Sequence, residues 1–110
     1  MEIDKFLEWA SKLGSKKGKK AEVERFKRYF DRFYLLNRNF LNKETFENAQ
    51  GSLSSMAQAM AETLQYLNGE IVRLRNKRMK LPFENVTLGE MQKIQNKNEM
   101  LIKELLEGLK

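Results

Sequence analysis

Residues 53–81 read LSSMAQAMAETLQYLNGEIVRLRNKRMKL, and within them Leu53, Met60, Leu67, Leu74 and Leu81 recur every seven residues. Ala57, Leu64 and Ile71 each follow a member of that set by four, so the two sets form one continuous apolar stripe on an α-helix. Such a helix is on the order of 43 Å long. That is more than a compact domain of 110 residues spans comfortably, and the stretch is expected to serve as a spine for other helices.

Outward from the spine, Pro82 predicts a stop at Leu81, because proline disfavours a helical residue before it and lacks an amide donor. Thr87-Leu88-Gly89-Glu90 then matches a capping box, flanked by Val86 and Met91 at hydrophobic-staple positions. This use of Thr87 accounts for the sequon Asn85-Val86-Thr87 without glycosylation. The final helix carries Met91, Ile94, Leu101 and Leu105 on its stripe, broadened by Ile102, Leu106 and Leu109. Asn98 interrupts that stripe; a polar residue inside an apolar seam can fix register or oligomeric state, but the expected position is the solvent edge.

Upstream of the spine, Ser52 is a natural N-cap, and residues 42–52 are polar with a weak helical tendency and one large apolar residue, Phe46. Residues 21–41 predict a helix with Val23, Phe26, Phe30, Phe33 and Phe40 at helical spacing, widened by Tyr29, Tyr34 and Leu36. Before it lies Gly14-Ser15-Lys16-Lys17-Gly18-Lys19-Lys20, in which two glycines and four like charges oppose compact structure. Residues 2–13 predict a short helix whose apolar face is Ile3, Phe6, Leu7, Ala10 and Leu13, with Trp9 at the edge of the core. The fold expected is all-α: a single domain over residues 1–110, with a short helix (1–13), a flexible basic linker (14–20) and a small antiparallel bundle of three long helices (21–110).

Composition excludes much chemistry. Without cysteine or histidine there is no thiolate nucleophile, no disulfide, no cysteine zinc site and no imidazole base. The acids are scattered, and the linker does not match a phosphate loop: three residues separate its glycines and Lys20 stands where the magnesium-binding hydroxyl belongs. A non-catalytic protein without cofactor or metal is expected. The amino terminus is amphipathic and charged, and no stretch approaches ~18 consecutive apolar residues. No membrane partner and a cytoplasmic location follow as expectations.

The net charge of +6 is unevenly laid out. Residues 12–40 hold ten basic side chains against three acidic ones, and Arg73, Arg75, Lys77, Arg78 and Lys80 close the long helix with no acid between Glu70 and Glu84. In the second helix Arg25, Arg28 and Arg32 share a face beside a dense set of aromatics, a mixture that can neutralise phosphates and stack bases. The candidate nucleic-acid contacts are therefore Lys16, Lys17, Lys19 and Lys20 of the linker, Arg25, Arg28 and Arg32, and Arg73, Arg75, Lys77, Arg78 and Lys80. In an antiparallel pair the end of the long helix lies near the start of the second, which would merge the clusters at one end.

These residues point to a basic helical subunit that grips the phosphate backbone of RNA or DNA within a larger assembly, beside other protein subunits or a second copy. In size, helicity and charge the chain is similar to the small helical subunits of CRISPR effector complexes, a likeness of composition that implies a strand-lining role. The alternative is a helical adaptor, secretion chaperone or virus-encoded inhibitor that docks an apolar face on another protein.

Overall fold

Five α-helices form among the residues described by a computed structural model, which are 2–13, 20–77 and 88–108. They are α1 (Glu2–Leu13), α2 (Lys20–Leu36), α3 (Lys43–Ala49), α4 (Leu53–Lys77) and α5 (Leu88–Gly108), with no strand among the described residues. The body measures 46 × 28 × 20 Å. Its longest dimension accommodates the roughly 38 Å that 25 residues of α4 require.

The stripe of α4 is the spine of the core. Leu53, Met60, Leu67 and Leu74 are buried, as are Ala57, Leu64 and Ile71 between them. The helix begins where Ser52 accepts the backbone N–H of Ser55 on its hydroxyl at 3.2 Å, satisfying one of the donors a helix start leaves open. The proline stop and the Val86 and Thr87 parts of the capping box lie outside the described residues.

Around α4 the apolar side chains gather in two clusters. The larger joins Ile3 and Phe6 of α1, Phe26, Phe30 and Phe33 of α2, Leu53 to Leu64 of α4, and Leu101, Ile102 and Leu105 of α5. The smaller joins Leu67, Ile71 and Leu74 of α4 to Met91 of α5, with Phe40 packed against it. α1 lies against both α4 and α5, and Trp9 is half-buried with its ring 5.7 Å from Phe6 and stacked 5.8 Å from Phe26.

Two elements depart from the sequence reading. α2 ends at Leu36 instead of continuing to Leu41, because Asn37 turns the chain: its carbonyl accepts from Phe40 N at 2.9 Å and Leu41 N at 3.0 Å. Residues 43–49 then form a true helix, α3, capped by the Asn42 side chain, which accepts from Thr45 N at 2.7 Å. Phe46 anchors α3 by stacking on Tyr34 at 4.3 Å and tilting against Phe30 at 5.0 Å.

Asn98 departs from its expected position as well. It is fully buried, not at the solvent edge, and its partner is the equally buried Asn37. The two amides exchange hydrogen bonds of 2.8 and 3.0 Å, and Asn98 also donates to Gln95 Oε1 at 3.0 Å. Gln95 donates in turn to the Asn68 side chain on α4. A chain of amides thus crosses from α2 through α5 to α4, satisfying groups that would otherwise be costly to bury.

Candidate functional site

The third and fourth residue spacings of Arg25, Arg28 and Arg32 put all three on the solvent side of α2, opposite the buried Phe26, Phe30 and Phe33. Tyr29 is half-buried on the flank of this face, and the four side chains line a recess of about 380 Å³. Most of the helix's other aromatics are used elsewhere, the three phenylalanines in the core and Tyr34 against Phe46.

α5 packs beside this face. Arg32 donates from Nη1 to Glu104 Oε2 at 3.0 Å, and its Cζ lies 5.6 Å from the centre of the Tyr29 ring. This ion pair is about half exposed on both sides, so it contributes little to stability, but it holds the guanidinium over the ring. Beyond Arg32 a second recess of about 230 Å³ is lined by Leu36, Met100 and Leu101, with Lys97 and Glu104 beside them. Arg25 reaches across to the last turn of α5 and covers Gly108. A cation there meets the negative end of the helix dipole. Neither Arg25 nor Arg28 has an acidic partner among the described residues.

The remaining candidates are placed as follows. Lys20 is exposed at the first residue of α2. Lys16, Lys17, Lys19, Arg78 and Lys80, and the side chain of Lys77, lie outside the described residues. Arg73 and Arg75 do not form one patch, because residues two apart on a helix point to nearly opposite sides. Arg73 is held by Glu70 through Nε at 3.2 Å and through Nη2. Arg75 is exposed and faces Gln92, whose amide oxygen, when turned toward it, accepts from Nε at 3.1 Å and Nη2 at 2.6 Å.

Most of the residues through which the two basic clusters would merge, Lys16, Lys17, Lys19, Arg78 and Lys80, lie outside the described residues, and the members that are described stand apart. Arg25 lies against Gly108 and Arg75 against Gln92, positions that are about 24 Å apart at the helical rise. The described arginines Arg25 and Arg75 thus meet α5 at well-separated positions. Sequence reasoning missed Lys97, Met100 and Glu104, which join the α2 face only through the packing of α5 against it.

Among the described residues no cluster of acids is placed to hold a metal ion, and no helix is long and apolar enough to cross a membrane. Comparison with known proteins adds no relative from which a role can be transferred: no family model, no curated protein and no solved structure matches the chain.

Proposed function

We propose that the chain is a non-catalytic helical subunit that binds RNA or DNA through phosphate contacts made by the α2 face, within a larger nucleoprotein assembly. The observation that carries this reading is the exposed set Arg25, Arg28 and Arg32, two of whose members have no acidic partner among the described residues. Guanidinium groups suit phosphate oxygens because their donors form a planar fork. Contacts of this kind are independent of sequence. The linker lysines adjoin this face along the chain through Lys20, whereas Arg73 is engaged by Glu70 and contributes less.

The pairing of residues supports an arrangement that brings these groups together. Arg32 meets Glu104 and Asn37 meets Asn98, as expected if α2 and α5 run in opposite directions. Asn68 meets Gln95 and Arg75 meets Gln92, as expected if α4 and α5 do the same. α2 and α4 then run side by side, with α3 returning the chain between them, in place of a simple alternation of three long helices.

Fluorescence anisotropy with labelled oligonucleotides at about 50 and 200 mM salt tests the reading. Three phosphate contacts predict roughly 20-fold weaker binding to a single strand at the higher salt. Changing Arg25, Arg28 and Arg32 together to Gln should cost at least tenfold, while Arg73→Gln should change binding less than twofold. Absence of binding at low salt, or equal binding by the triple variant, overturns it.

A second reading, a helical adaptor, is favoured by a different surface. Tyr66 and Val72 are 53% and 55% exposed on α4, on either side of Gly69, above which the space is open. Val72→Asp should then abolish partner association, or self-association measured by light scattering, and leave oligonucleotide binding unchanged.

A further inference from the structure

We infer that the recess bounded by Arg25, Arg28, Tyr29 and Arg32 receives a single nucleic-acid strand, with a phosphate between Arg25 and Arg28 and a base stacked on the Arg32–Tyr29 pair. This inference rests on the nucleic-acid reading above and narrows it from any phosphate backbone to an unpaired strand.

Size is the first argument. At about 380 Å³ the recess falls in the range of small-ligand sites. It admits one nucleotide unit, whereas a duplex keeps its bases inside and presents only a convex backbone. The order of chemistry along the groove is the second. Arg25 and Arg28, which have no acidic partner among the described residues, lie at one end, and next to them comes the half-buried Tyr29 with the Arg32 guanidinium over its ring at 5.6 Å. Rings and guanidinium planes are both platforms on which unpaired bases stack.

Glu104 supplies the third argument. Its carboxylate stands 3.0 Å from Arg32, the residue that the two recesses share, and lines the second of them. A rigid row of phosphates following the groove would run into this charge. A single strand can turn its phosphates outward there and pass its next base over Leu36 and Met100, the latter 69% exposed. From Arg28 to Leu36 the groove follows α2 for about 12 Å, the length of a short dinucleotide step, and Lys97 stands at its far end to meet a second phosphate.

The experiment compares three labelled probes of about ten nucleotides at low salt: a thymidine oligomer, an abasic oligomer of equal charge, and a duplex. Anisotropy is read for the intact chain and for Tyr29→Leu and Tyr29→Phe, with circular dichroism confirming that both variants are folded. The thymidine oligomer should bind at least tenfold more tightly than the abasic one and more tightly than the duplex. Tyr29→Leu should erase most of the thymidine-over-abasic preference, and Tyr29→Phe should restore it. Equal, salt-sensitive binding of the thymidine and abasic oligomers, or preference for duplex, overturns the inference while leaving phosphate binding standing. Failure of all three probes to bind overturns both.

Discussion

The side-chain amides of Asn37 and Asn98, 61 positions apart in the chain, donate to one another across the interface of α2 and α5, both fully buried. Asn37 also donates to the Phe33 carbonyl at 2.8 Å. The pair lies where the α2 backbone turns, so it fixes at once where the helix ends and how it is aligned against α5. A polar pair of this kind, surrounded by apolar side chains, admits few alternative registers.

Asn98→Leu alone should destabilise the fold by about 2–3 kcal/mol, because Asn37 and Gln95 are left with buried polar atoms that have lost their partner. The double variant Asn37→Leu with Asn98→Leu should cost less than the sum of the singles, with a coupling of at least about 1 kcal/mol. Urea denaturation of the four proteins measures it. Simple additivity would show that the two amides do not act as a pair.

Gly69→Ala should stabilise the protein by about 1 kcal/mol, since the glycine sits inside α4 with nothing within 4 Å of an added methyl group. A rise of several degrees in the thermal midpoint is expected.

Asn42→Ala should cost about 1 kcal/mol by removing the acceptor at the start of α3. The effect should be concentrated in α3, and amide exchange should quicken first at Thr45, whose N–H loses its partner.

Phe6→Ala should cost about 3–5 kcal/mol, because the ring is completely buried where α1 meets the larger cluster. Chemical denaturation should give a lower midpoint. A loss below 1 kcal/mol would mean that α1 is not part of the cooperative core.

Gly108→Ala isolates the Arg25 contact. An added methyl group displaces the far end of a flexible side chain and leaves the backbone untouched, so stability should change by no more than about 1 kcal/mol. If the Arg25 guanidinium is positioned for phosphate by resting on α5, oligonucleotide affinity should nevertheless fall severalfold.

The all-helical fold was legible because its signals are local. The seven-residue recurrence from Leu53, the Ser52 cap and the apolar face of Ile3 and Phe6 all follow from neighbours a few residues apart. α3 was under-read because its stability comes from Phe46 packing on Tyr34 and Phe30, which no short window displays. Asn98 was misread for a similar reason: an amide in an apolar stripe looks like an edge residue until a distant amide is found to satisfy it. On the candidate site, the arginine face of α2 was visible from spacing alone. The split between Arg73 and Arg75 follows from helical geometry alone, since residues two apart face nearly opposite sides. Lys97, Met100 and Glu104 could not be assigned to that face before α5 was seen beside α2.

Trp9, the one tryptophan of the chain, is stacked on Phe26, and Phe26 is the neighbour of Arg25 on α2. The molecule therefore contains its own optical probe. Indole emission reports whether α1 is docked on α2, so undocking of the first helix can be followed in unlabelled protein.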